Sequence, residues 1–199
     1  MRRKQSEITE KAEIEEILTK TKVGRLATLG GDGYPYITPV NYVYQRGSIY
    51  FHCALKGEKL DNIRRHGKVC FEVDIPLAYL DTGYDKNMPA CDVGQFYQCV
   101  IIRGQAEIVE QQNEKVDALN ALMASHENVR QFFDITVDTP AVKLCAVVAV
   151  RIESLSAKAN LAQKKTAAEK EKISVYLQKR DLPGDREAAM LIRKKNNIS

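Results

Sequence analysis

No stretch of the chain follows the glycine-rich dinucleotide pattern GxGxxG or the phosphate-loop pattern GxxxxGK[ST], so the two common α/β nucleotide-binding signatures are missing. Long hydrophobic runs are missing as well; the apolar run 145–150 is far too short to cross a bilayer. The amino terminus opens Met1-Arg2-Arg3-Lys4 and meets Glu7 and Glu10 with no apolar segment behind it, so it does not read as a secretory signal. Cysteine is sparse: Cys53, Cys70, Cys91, Cys99 and Cys145 are odd in number and never spaced CxxC. That pattern argues for reduced thiols in a cytoplasmic protein and against a disulfide scaffold or a structural zinc site. Only three histidines occur, His52, His66 and His126, dispersed and without matching carboxylates, so no metal site is expected.

Charge is plentiful but unevenly spread. The chain has 30 Lys and Arg against 26 Asp and Glu, a net +4. From Lys158 onward there are 11 basic and 5 acidic side chains, which leaves 19 basic and 21 acidic in residues 1–157. A near-neutral body with a basic tail lacks the basic stripe that a nucleic-acid binder lays along a folded face. Neither nucleic acid nor a membrane is therefore expected as a partner. A chain of 199 residues suits one domain with appended helices. The expected division is a β domain over 1–157 and a basic helical extension over 158–199.

Hydrophobic periodicity orders the elements. Thr9 is placed to cap a helix through 12–18, with Ile14, Ile17 and Leu18 on one face. The period then changes to two: 23–29 reads as a strand, 30–33 (Gly-Gly-Asp-Gly) as a turn, 36–44 as the returning strand, and 48–53 as a third strand after the turn at 45–47. A short helix is expected over 57–66 and a strand over 68–75. Residues 76–93 hold two prolines, one glycine and three aspartates and read as a long loop. A long strand over 95–110 should bend at Gly104. A helix over 113–126 carries Val116, Leu119, Leu122 and Met123 as its stripe, and 128–133 adds another turn or two. The last strand, 143–155, is apolar enough to be buried on both sides. The tail from Ala162 is helix-prone, broken at Leu182-Pro183-Gly184, with Asp185 as cap of a closing helix through Ile192. Turn-linked strands with helices inserted between them imply a mainly β protein, an antiparallel barrel with peripheral helices.

The informative stretch runs from Val23 to Asp74. The ordered set G-R-L-A-T (24–28), Y-P-x-x-x-P-V-N-Y (34–42), Y-F-H (50–52) and G-x-K (57–59), followed by the strand 96–107, resembles the pyridoxamine 5'-phosphate oxidase-like split-barrel proteins that bind FMN, in particular their nitroimidazole-resistance branch. The likeness covers about 1–155. It implies an FMN-binding split β-barrel and a homodimer with flavin sites between the subunits. It also implies NADH or NADPH as electron donor, and a small acceptor such as a nitroimidazole or other nitroaromatic. By this resemblance Pro39, Val40, Asn41 and Tyr42 face the flavin ring, His52, Cys53 and Ala54 run beside it, and Lys59 reaches the phosphate from the start of a short helix. Gln98 and Val100 are the implied contacts from the partner subunit.

The physics of a flavin agrees with these residue types, because the ring needs a dry slot with donors and acceptors and the phosphate needs a cation and N–H groups. His52 is either a proton donor to the acceptor or a structural residue within its strand. Cys53 and Cys99 default to small buried residues, His66 and His126 to helix ends, and the tyrosines around these strands to packing. The arginine-rich phosphate pattern of a true pyridoxamine 5'-phosphate oxidase is missing, so vitamin B6 synthesis is not expected. The alternative is a flavin- or haem-binding module without turnover, used for storage or sensing.

Overall fold

The computed structural model describes residues 4–89, 92–127 and 133–195. Seven strands, β1 (Glu7–Ile8), β2 (Val23–Leu29), β3 (Pro35–Gln45), β4 (Ser48–Cys53), β5 (Lys68–Leu80), β6 (Gly94–Ile108) and β7 (Ala146–Asn160), alternate with five helices. The helices are α1 (Lys11–Lys20), α2 (Glu58–Arg65), α3 (Gln112–His126), α4 (Ala167–Arg180) and α5 (Asp185–Lys195). The strand order is β1-β7-β4-β3-β2-β5-β6, and β6 also pairs with β7, so six strands form a closed ring. The antiparallel barrel with peripheral helices read from the sequence is thus the fold observed. No helix among the described residues is long and apolar enough to cross a membrane.

The chain folds into two compact units, and β5, β6 and β7 each contribute to both. The larger unit, residues 14–73 and 100–155, contains the meander β2–β3–β4. Tight registers, Val23↔Asn41 through Leu29↔Pro35 and Tyr42↔Phe51 through Gln45↔Ser48, follow from the two short turns. Inward positions fill the core: Leu26, Tyr42, Ile49, Phe51 and Phe71 are essentially inaccessible, and Tyr42 meets the Phe71 ring edge-on with centroids 5.1 Å apart. Residues 146–150 of β7 are all buried, as their apolar run requires. Gly104 needs to be glycine, since a Cβ there would collide with the Arg151 backbone of the neighbouring strand.

A second cluster in this unit fastens α3, with Ala118, Leu119 and Leu122 packed on Tyr50, Val147 and Ala149. At its start, Arg151 donates to Glu114 at 2.6 Å and to the Tyr50 hydroxyl at 2.8 Å, and Tyr50 donates to Glu114 at 2.8 Å. Near its middle, Asn120 and Ile135 exchange two hydrogen bonds of 2.8 Å. The extra turn expected at 128–133 falls almost wholly outside the described residues.

The smaller unit comprises residues 1–13, 74–99 and 156–199. Here β5 continues beyond the expected stop at residue 75, because Pro76 takes an exposed position while Ile75, Leu77 and Ala78 stay buried. The long loop is correspondingly shorter than 76–93. The last strand likewise runs on to Asn160, where residues 157 and 158 pair with the two-residue β1, an element with no period to betray it. A capping box, Thr166 with Glu169, starts α4. Asp185 is the first residue of α5 rather than its cap. Its carboxylate turns back to accept from both sides of the Arg180 guanidinium, at 2.8 and 2.6 Å, and from the Leu182 N–H.

Candidate functional site

Alternation along β3 and β4 divides the expected ring-facing residues into two sets. Val40 and Tyr42 point into the core of the larger unit, whereas Pro39 and Asn41 are exposed on the opposite face. The Tyr42 hydroxyl donates to the Leu18 carbonyl at 2.7 Å and receives the Thr21 hydroxyl at 2.7 Å. It ties α1 to the barrel, and burial pushes its pKa up to about 12. A ligand on the outer face therefore meets the side chains of Pro39 and Asn41 but only the backbone of Val40 and Tyr42.

On β4, Phe51 is buried and His52 turns outward. One step beyond the Tyr42↔Phe51 pair, the same register sets His52 beside Asn41. The two side chains help line a cavity of about 420 Å³. Its other walls are apolar: Leu119, Leu122 and Met123 of α3, then Ile135, Ala141 and Val142. His126 and Cys145 complete it. The His126 ring nitrogens lie 3.0 Å from the Leu122 carbonyl and 3.2 Å from that of Lys22, so whichever nitrogen carries the proton donates to a carbonyl. The His126 ring thus ties the end of α3 to Lys22 and is also part of the cavity wall.

Four residues lead from β4 to α2. Cys53 is half-buried and Ala54 exposed. Burial raises the pKa of the Cys53 thiol, while the positive charges of Lys59 and Arg64 pull it down, so both cations act where β4 ends. Gly57, with φ at 141° and open space around it, precedes α2, and no side chain caps the helix. The first turn of α2 thus offers N–H groups and the positive end of its dipole, with Lys59 in the same turn. Arg25 pairs with Glu72 at 2.9 Å on the barrel surface.

Gln98 and Val100 stand apart from this set. Val100 is fully buried in the larger unit and does not line the cavity, and Gln98 is buried in the smaller unit. Their side chains are thus enclosed within their own protomer. No group of three or more histidine, cysteine, aspartate or glutamate side chains placed to hold a metal occurs among the described residues.

The cavity wall supplied by α3 was not picked out as functional in the sequence. The signal was present as the stripe Leu119, Leu122, Met123, to which His126 adds the next turn, but a stripe at helical spacing reads first as core. Nothing local to Ile135, Ala141 or Cys145 marks them.

These features can be set beside known proteins. The sequence profile of the pyridoxamine 5'-phosphate oxidase family matches residues 10–159. Among solved structures, a candidate 5-nitroimidazole antibiotic resistance protein from Bacteroides thetaiotaomicron superposes with a TM-score of 0.65 at 24% identity, over 77% of this chain and 86% of that one. The FAD and heme binding protein from Mycobacterium smegmatis gives 0.68 at 15% identity, over 82% and 78%. The flavocytochrome Anf3 from Azotobacter vinelandii gives 0.62 at 17% identity, over 77% and 69%. At these identities the likeness is one of fold. No curated protein is significantly similar in sequence. With three quarters of its length matched by one profile and the same barrel observed, the chain belongs to the pyridoxamine 5'-phosphate oxidase family.

Proposed function

We propose that this protein is an FMN-dependent oxidoreductase that reduces a small acceptor such as a nitroimidazole or another nitroaromatic, with NADH or NADPH as donor. The observation that carries the reading is a set of neighbours in the chain: exposed Pro39 and Asn41 on β3, outward His52 on β4 beside an apolar-walled cavity, and, four residues after β4, the uncapped first turn of α2 with Lys59. This donor set fits FMN. The backbone of β3 and β4 offers donors and acceptors to a flat polar edge, and Lys59 with the positive end of α2 offers an anion site to a phosphate.

Bound there, FMN would supply hydride and electron transfer, which no side chain can. The residues of the chain do the rest. Lys59 neutralises the phosphate, and Asn41 orients the acceptor. His52 hands over a proton as the acceptor is reduced, imidazole being the side chain best suited to that near neutral pH. The apolar wall of α3 keeps water away.

The same reading makes the protein a homodimer with the flavin between subunits. What supports it is the outer face of β2 and β3, where Val23, Leu29 and Ile37 are 49%, 43% and 63% exposed beside Pro35 and Pro39. A largely apolar face of that kind, crossed by the Arg25–Glu72 pair and leading to Asn41, fits a second copy of the chain.

Equilibrium titration with FMN tests the site. Lys59→Ala is expected to weaken FMN binding at least tenfold with unchanged thermal stability, and His52→Ala to leave FMN content intact while slowing acceptor reduction. FMN affinity indifferent to Lys59 would contradict the placement.

A further inference from the structure

We propose that the apolar face of α3, with Met123 at its half-buried edge, is the specificity element of this site. It admits uncharged planar compounds of one ring or two fused rings to His52 and turns away charged ones. The inference rests on the proposed reading only for the reaction; the binding preference stands on the cavity itself. Of the ten described side chains that line the cavity, none is Asp, Glu, Lys or Arg. Asn41 and His52, neighbours across the β3–β4 register, supply its hydrogen-bonding side chains, since the His126 nitrogens already face the carbonyls of Leu122 and Lys22.

A carboxylate or phosphate entering here would lose its hydration and meet no cation among the described lining side chains, the Lys115 ammonium being already held by the Cys145 carbonyl at 2.7 Å, a cost of several kcal/mol. A neutral ring loses little and gains dispersion contacts with Leu119, Leu122 and Met123. Roughly 150 Å³ suffices for benzene, so a cavity of about 420 Å³ has room for two fused rings with a substituent. The walls are held before any ligand arrives, by the Glu114–Arg151–Tyr50 bonds at one end of α3, by the Asn120–Ile135 pair, and by His126 at the other end. Leu119 and Leu122 also belong to the core and cannot change freely. Met123 is outside that cluster, half-buried and unbranched, and is the adjustable wall. A consequence within this family is that a ring carrying a phosphate ester is excluded from the cavity.

The test is titration calorimetry of the purified protein, as isolated and again saturated with FMN, with 4-nitrobenzyl alcohol and its anionic counterpart 4-nitrobenzoate. The neutral compound should bind at least tenfold tighter. Met123→Trp should weaken it at least tenfold with FMN content unchanged. Met123→Ala should instead tighten binding of a neutral nitronaphthalene, which keeps the test decisive if the tryptophan variant fails to fold. Equal binding of the two nitrobenzyl compounds, or indifference to Met123→Ala, would overturn the proposal. So would displacement of FMN by the neutral compound, since the flavin itself would then fill the cavity. Absence of any FMN binding would instead sink the flavin reading while leaving the neutral-over-anion preference measurable.

Discussion

At the scale of single residues, the alternation of β3 and β4 decides which side chains can do chemistry. Tyr42 is drawn inward and spends its hydroxyl on α1, and it is a clean reporter of that arrangement. Its phenol pKa is raised by burial to about 12 from the usual 10.0. Its contribution to stability is therefore complete below pH 10 and is lost as the pH rises toward 12. Tyr42→Phe should cost about 1 kcal/mol at pH 7 through the lost hydrogen bonds and should flatten the loss of stability between pH 10 and 12. An unchanged alkaline melting profile would contradict the buried placement. Much of this was legible in sequence: the order of motifs singled out Asn41, His52 and Lys59 in the chain, and a period of two gives the facing of Asn41 and His52. What was not legible is the far wall of the cavity. Met123 and Cys145 meet His52 only through tertiary packing, which leaves no local pattern.

At the scale of elements, α3 is the piece whose placement matters most to the site. The Arg151 guanidinium holds the Glu114 carboxyl below the usual carboxylate range, aided by the Tyr50 hydroxyl and opposed by burial. A depressed folded value stabilises above the unfolded carboxylate value of about 4.3 and loses that stabilisation as pH falls through the folded value. Glu114→Gln should therefore cost about 1 kcal/mol at pH 7, a modest figure because the pair is partly exposed, and the variant should be less sensitive to acid than the parent.

The helical tail behaves differently. Arg180 and Asp185 form a largely enclosed pair, with side chains 14% and 1% exposed, and Arg180 also donates to Asp81. Asp185→Ala takes two hydrogen bonds from a largely buried guanidinium, which keeps those to Asp81 and the Tyr79 carbonyl, and should destabilise the smaller unit by about 2 kcal/mol, measurable as early unfolding of α4 and α5 by hydrogen exchange. Composition announced these helices as basic and helix-prone, and Leu182-Pro183-Gly184 announced the break between them. Their anchoring by Asp81, at a distance of about a hundred residues in sequence, could not be read from any window. The extension of β5 past Pro76 escaped for a related reason: proline punctuates local readings, yet an exposed sheet position tolerates it.

At the scale of the whole molecule, the membership of the family and the barrel are observed, while the cofactor, the dimer and the reaction are inferred from the outward residues of β2 to β4 and the start of α2. If β2 and β3 meet a second copy through Val23, Leu29 and Ile37, the 22.4 kDa chain should elute as a dimer. Ile37→Asp, a charge in the middle of that face, should shift it to monomer and lower its FMN content together. Light scattering in line with size exclusion measures both. The central claim, that the site from Asn41 to Lys59 holds a flavin, is tested most directly by the visible absorption spectrum of the protein purified without added cofactor and then titrated with FMN. The account predicts flavin bands, with about one FMN per chain at saturation. A colourless protein that leaves the spectrum of added FMN unchanged would contradict it.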